Sequence, residues 1–162
     1  MGARDDDESL LGRVVAGKLR IVEHLGSGWM GRVYRAQHLA LEKDVAIKVL
    51  RESAVPDPTR SKRFAREARA ASRLNHPNSV AVLDFGEDGE DRLLYIAMEF
   101  LEGEDLQDII DRGQRLGVDR LCHIMIQVLA ALAAAHDAGI IHRDMKPSNV
   151  VLVKQRNDEG LI

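Results

Sequence analysis

A single cysteine, Cys122, is all the sequence contains, which excludes an intramolecular disulfide and a cysteine-built zinc cluster and fits a reducing cytoplasm. Basic charge is not in excess either. With 23 Lys and Arg against 26 Asp and Glu the formal charge is -3, so no general attraction for nucleic acid or an anionic membrane is expected. Uninterrupted apolar runs stop short of the ~18 residues that a membrane span needs. The start, "MGARDDDESLLG", is acidic where a signal peptide would be basic and then apolar. No membrane segment is therefore expected, and residues 1–17, with the acidic run Asp5 to Glu8, read as a flexible, solvated tail. What is present is 162 residues, 45% hydrophobic and 30% charged, the composition of an ordinary globular protein with material for one sizeable core or two small ones.

Strands come first along the chain and helices later. The alternation in "LRIVEHL" (19–25), the break at "GSGWMG" and the resumption in "RVYRAQHLA" (32–40) predict two strands joined by a glycine-rich turn. "DVAIKVL" (44–50) predicts a third, with Val45, Ile47 and Val49 on one face and Ala46, Lys48 and Leu50 on the other. "RSKRFAREARAASRLNHP" predicts a helix that stops before Pro77. Its apolar side carries Phe64, Ala68, Ala71 and Leu74 but also Glu67, a costly place for a carboxylate unless a cation meets it. "SVAVLDF" (79–85) and "RLLYIAMEF" (92–100) read as two more strands around the turn pair Asp88-Gly89. From 119 to 138, Leu121, Ile124, Met125, Val128, Leu129 and Leu132 recur at the spacings of an amphipathic helix. Cys122 and His123 on it have no metal-ligand spacing and read as ordinary helix residues.

Three stretches carry chemistry. "GSGWMG" matches G-x-G-x-x-G, in which the backbone N–H groups of Gly26, Ser27, Gly28 and Gly31 can approach phosphate oxygens that side chains would obstruct. A plain hairpin turn and a dinucleotide-binding turn spell the same pattern, but the latter needs a helix at the third glycine, and Val33-Tyr34-Arg35-Ala36 is strand-like. Lys48 and the later Glu67 could supply each other's counter-charge and leave the lysine as a fixed donor to phosphates; two surface charges would look the same. In "IIHRDMKPSNVVLV" (140–153), Asp144 can receive a proton, Lys146 can balance moving phosphoryl charge, and Asn149 can offer an oxygen to magnesium. Those are the groups that phosphoryl transfer to a hydroxyl requires.

In this order, the glycine turn, "VAIK", the helix glutamate, "MEFLEG" and "HRDMKPSN" resemble the front part of a eukaryotic-type Ser/Thr protein kinase domain of the bacterial kind, from Lys18 to the last residue. The resemblance implies an α+β, protein-kinase-like fold: a complete β-rich N-lobe (18–98), a hinge (99–105) and the first part of a helical C-lobe (106–162). It implies that Gly26, Ser27, Gly28 and Gly31 cover the phosphates of ATP, and that Lys48 contacts the alpha and beta phosphates with Glu67 as its anchor. Leu25, Val33, Ala46 and Val151 would enclose the adenine, with Met98 as gatekeeper. Glu99 and Leu101 would offer hinge backbone to the base, and Asp105 would contact the ribose. Asp144 is then the catalytic base, Lys146 the gamma-phosphate contact and Asn149 a ligand of Mg2+, with protein Ser/Thr hydroxyls as substrates. Arg143 before Asp144 resembles the kinases switched on by activation-loop phosphorylation.

The kinase pattern also calls for an Asp-Phe-Gly magnesium triplet after Asn149. Past "VVLV" come "KQRNDEG", read as a turn, and Leu161-Ile162, read as the start of a further strand. The triplet that is spelled, Asp84-Phe85-Gly86, precedes "HRD" and sits at a strand end, so Asp84 is not expected to hold the metal. On this reading the 162 residues are an incomplete piece of a Ser/Thr kinase with little activity of its own and an apolar helix face left uncovered. The alternative is a truncated kinase-like module that binds nucleotide or a protein without catalysis.

Overall fold

The computed structural model describes residues 10–28, 31–50, 58–89 and 92–153, with no side-chain description at 28, 58–61 and 63. The expectations for residues 1–9, for the loop 51–57, and for the turn and further strand in 154–162 lie outside these residues. The chain divides into two compact units, Met1–Arg73 with Val80–Phe100, and Leu74–Ser79 with Leu101–Ile162.

The first unit is an antiparallel sheet in the order β1-β2-β3-β4-β6-β5, joined by one helix. Its strands are β1 (Val14–Val15), β2 (Leu19–Gly28), β3 (Gly31–His38), β4 (Lys43–Leu50), β5 (Val82–Asp88) and β6 (Leu93–Glu99). Alternation along each strand sends Ile21, Tyr34, Val45, Ile47, Val49 and Ala97 into one core, the face assignment that the β4 sequence predicts. Pairing between β2 and β3 runs on to Gly28 and Gly31, so the glycine stretch is the tip of a hairpin and not a gap between strands. At the other hairpin β5 continues to Asp88 and Gly89 takes a left-handed φ of 71°, which glycine accepts without a Cβ clash.

Residues 10–17 are not the flexible tail expected of them. Val14 and Val15 pair with Arg20 and Leu19, and Val15 is fully buried. Arg13 Nη2 meets Asp88 Oδ2 at 2.9 Å, and Ala16 N donates to Asp88 Oδ1 at 2.7 Å. Two apolar residues are too few for an alternation to register in sequence, yet burying one of them contributes about 1.5–3 kcal/mol relative to exposure.

The helix α1 (Pro58–Ala71) ends well before Pro77. Ser72 N and Arg73 N bond to the carbonyls of Ala68 and Ala70, and the Ser72 hydroxyl donates to Arg69 O, a local alternative to helix that serine offers. Leu74 therefore lies off the helix, and among the described side chains of α1 Phe64 and Ala68 are the buried ones.

The second unit holds a two-stranded ribbon, β7 (Gly103–Asp105) against β8 (Val151–Val153), then α2 (Leu106–Asp111) and α3 (Val118–Asp137). A 3-10 turn at Pro147–Asn149 leads into β8. β7 and α2 have no counterpart in the sequence expectations. Asp105 caps α2 by accepting from Asp108 N at 2.9 Å, and Leu106 and Ile109 turn inward. Gly103 is required by proximity: a Cβ there would lie 2.5 Å from Leu152 O. Ile109, Ile124 and Leu152 form the core of this unit, while Leu121, Met125, Ile126 and Leu129 of α3 are exposed. By length and composition alone α3 could cross a membrane, which qualifies the expectation drawn from uninterrupted runs. Its first turn carries Asp119 and Arg120, and one such helix supports no membrane assignment.

Candidate active site

In the first unit, strand register brings together four of the residues expected around a nucleotide. Lys48 sits opposite Val33 on β3 and Ile96 on β6, and Ala46 opposite Arg35 and Met98. Val33, Ala46, Lys48 and Met98 therefore share the sheet face opposite the core. Gly26 pairs with Val33 at the start of the hairpin tip, and a Cβ on Gly26 would meet nothing within 4 Å. Gly31 is constrained differently: a Cβ there would lie 2.2 Å from Val49 O, so this glycine serves the close approach of β3 and β4. Leu25 is exposed beside the tip, and Ser27 Oγ lies 3.0 Å from His24 Nε2, whose ring packs edge-on against Tyr34. Trp29 and Met30 lie outside the described residues.

Lys48 and Glu67 are not brought together. Glu67 is exposed on α1, and no ion pair joins it to Lys48 among the described residues. The expectation of an inward-facing glutamate is corrected on physical grounds: Phe64 and Ala68 fill the buried face, and water hydrates a carboxylate whose burial would be costly. At the end of β6, Glu99 is tied to Ala81 twice. Its N–H donates to Ala81 O at 3.0 Å, and its Oε1 accepts from Ala81 N at 2.6 Å.

In the second unit, Asp105 stands directly opposite Val151 across the β7–β8 ribbon, and one of its carboxylate oxygens is engaged as the cap of α2. Leu101 is half-buried ahead of β7. The stretch 142–149 folds around Asp144. His142 Nδ1 accepts from Asp144 N at 3.3 Å, Lys146 Nζ lies 3.0 Å from Asp144 Oδ2, and Asn149 Nδ2 donates to Asp144 O at 2.7 Å. Arg143 is held at φ 63°, a left-handed conformation unusual for a long side chain and of the kind found at functional sites. The loop was legible as a motif, but the parts played by His142 and by the Arg143 backbone were not assigned from sequence.

The electrostatics follow from these contacts. The Lys146 ammonium holds the Asp144 carboxyl below its ordinary range, against opposing desolvation, with Asn149 and His142 assisting. Asp144 is therefore ionised at neutral pH, ready to accept a hydrogen bond and then a proton from a hydroxyl. Asn149 spends its Nδ2 on Asp144, while its Oδ1 accepts no hydrogen bond among the described residues and can serve as a ligand for a hard cation. No cluster of three or more His, Cys, Asp or Glu among the described residues could hold a metal ion by itself.

Asp84 is committed elsewhere, as its place in the sequence implies. Its Oδ2 accepts from Tyr95 Oη at 2.8 Å and meets Lys18 Nζ at 3.0 Å. Burial alone would raise the Asp84 carboxyl, but the Lys18 and Tyr95 contacts outweigh it and hold it below the usual range.

The profile of the family described as "Protein kinase domain" matches residues 19–161. The chain is 47% identical over 157 residues to "Serine/threonine-protein kinase pkn3" of Myxococcus xanthus, a match covering 97% of this chain and 28% of that protein. It is 41% identical over 143 residues to "Serine/threonine-protein kinase PrkC" of Bacillus subtilis, covering 88% of this chain and 22% of that one. Among solved structures, the kinase domain of PknI from M. tuberculosis is similar with a TM-score of 0.76 and 40% identity, over 90% of this chain and 57% of that chain. The chain thus spans less than a third of those two relatives and little more than half of that kinase domain.

Proposed function

The chain belongs to the protein kinase domain family, and from that premise we propose that the protein carrying it is an ATP- and magnesium-dependent Ser/Thr protein kinase of the cytoplasm. The observation that carries this reading is the loop in which Asp144, Lys146 and Asn149 converge. A Ser or Thr hydroxyl of a protein substrate would donate to Asp144, which accepts its proton as the phosphoryl group moves. Lys146 serves two ends, keeping Asp144 ionised and balancing charge on the transferring phosphoryl oxygens. Leu25, Val33 and Ala46 would line the adenine with Met98 as gatekeeper, Gly26, Ser27, Gly28 and Gly31 would approach the phosphates, and Lys48 would donate to them.

Residues 99–105 would act as the hinge, with Glu99 and Leu101 offering backbone to the base and Asp105 contacting the ribose. Asn149 Oδ1 fits one position in the coordination of magnesium, an ion that supplies charge neutralisation at the phosphate oxygens. One neutral oxygen is a weak metal site, so magnesium should need a carboxylate ligand in addition to Asn149.

One observation favours the second reading, a nucleotide-binding or protein-interaction module without catalysis: Glu67 is exposed and forms no ion pair with Lys48 among the described residues. The two readings part in one assay. The protein carrying this chain, given labelled ATP and magnesium, should place label on Ser or Thr and lose that activity with a chelator. Binding of ATP with no transfer, Lys48 and Asp144 being intact, would establish the second reading.

A further inference from the structure

We propose that Arg35 is a positioning residue for the adenine end of the nucleotide site and acts through Phe100. The inference rests on the reading of residues 99–105 as the hinge of a kinase. Arg35 lies on β3 directly opposite Glu23 of β2 and Ala46 of β4, two residues along from Val33. It is therefore on the sheet face that carries Val33, Ala46, Lys48 and Met98, not on the core face.

Its guanidinium is held at both ends. Nη2 meets Glu23 Oε2 at 2.9 Å and Nη1 lies 3.5 Å from Asp44 Oδ2, so one side chain spans three strands. A planar fork gripped by two carboxylates loses its freedom to rotate, and with its charge balanced it is not available to a phosphate. The Arg35 Cζ then stands 5.9 Å from the centroid of the Phe100 ring, within the ~6 Å over which a cation and an aromatic face attract.

Phe100 follows directly on β6, between the two residues expected to present backbone to the base. Glu99 on one side of it is pinned to Ala81 by a backbone and a side-chain hydrogen bond. The ring of Phe100 is held by Arg35. The backbone at 99–100 thus enters the hinge with both a main-chain and a side-chain restraint. An ordinary cross-strand ion pair at the surface would contribute little and would have no bearing on ligand affinity. The contact with Phe100 is what gives Arg35 a function.

The test is nucleotide affinity and steady-state kinetics in the protein carrying this chain, for Arg35→Met, Phe100→Leu and the double variant, with Arg35→Lys as a milder change. Arg35→Met should weaken ATP and adenosine alike by about three- to ten-fold and raise KM for ATP by the same factor, with kcat changing by less than about two-fold. Inorganic tripolyphosphate, which has no base, should bind as before. Phe100→Leu should give a loss of similar size, and the double variant should be no worse than either single change, since both remove one interaction. Arg35→Lys keeps the charge but not the fork and should fall between wild type and Arg35→Met; it also serves should Arg35→Met fold poorly.

Wild-type ATP affinity in both Arg35 variants, or additive losses in the double variant, would overturn the proposal while leaving the kinase reading intact. A wild-type protein that binds no ATP would overturn both.

Discussion

The two units of the chain treat their apolar residues in opposite ways. In the first, Ile47 at the centre of β4 is 0% exposed and belongs to a core drawn from its own strand and from β1, β2, β3 and β6. In the second, Leu129 of α3 is 58% exposed and Ile126 65%, although both belong to an apolar helix of 20 residues. In the first unit the inward side chains of several strands bury one another, whereas an amphipathic helix declares a face that another element must cover. Hydrophobic periodicity therefore states that a side chain can be buried and says nothing of what buries it.

The largest effect that could break this comparison comes from truncating one residue in each unit. Ile47→Ala should cost about 2–5 kcal/mol, as buried large-to-small changes do, whereas Leu129→Ala should stay within about 0.5 kcal/mol, as exposed changes do. Chemical denaturation of the two variants checks this, and equal losses would show that α3 is covered in solution.

Glycine substitutions sharpen it next, because there the units should behave alike. Gly31→Ala drives a Cβ to 2.2 Å from Val49 O and Gly103→Ala one to 2.5 Å from Leu152 O, both against backbone that cannot turn aside. Each should cost about 1–3 kcal/mol. Gly26→Ala, with open space around it, should cost much less.

The smallest effects are electrostatic. Asp84 and Asp144 both have carboxyls held below the usual range, but Asp84 bridges separate elements through Lys18 and Tyr95 while Asp144 meets neighbours within its own loop. A depressed folded-state pKa contributes stability above the unfolded value of 3.8 that is lost as pH falls through the lower folded value. Wild type should accordingly lose under about 1 kcal/mol more than Asp84→Asn on acidification, the exposure of the pair keeping the figure small. Asp144→Asn removes a contribution of the same sign, and a smaller one because its carboxyl is more exposed. Burial, with the Asp84 bond adding to it, pushes the Tyr95 phenol up from 10.0, so its contribution is present below pH 10.0 and lost on raising pH beyond it. Tyr95→Phe should flatten that alkaline limb in a thermal-melt series.

What could be read in the sequence follows the same division. The long alternations of β2, β3, β4 and β6 and the heptad-like spacing of α3 were legible because many residues repeat the signal. Val14-Val15 and the six residues of α2 were not, since segments this short carry no period, although Asp105 ahead of Leu106 and Ile109 is a cap signal that could have been used. Glu67 was misplaced because spacing assigns a side of a helix only to within a neighbouring position, and Phe64 with Ala68 fills the buried strip beside it. Asp144, Lys146 and Asn149 were found because local sequence brings them together, while Arg35 and Phe100, far apart in sequence, meet only through strand register.

The proposed function divides the work: residues of the first unit would supply most of the nucleotide contacts, and the Asp144 loop would carry the chemistry. ATP affinity and phosphoryl transfer, measured on the same preparation of the protein carrying this chain with Asp144→Asn, test it most directly. The expected result is ATP binding within about two-fold of wild type, with transfer reduced by about 10²–10⁴-fold, the range for loss of a catalytic base. Undiminished transfer, or a loss of ATP binding as large as the loss of transfer, would contradict it.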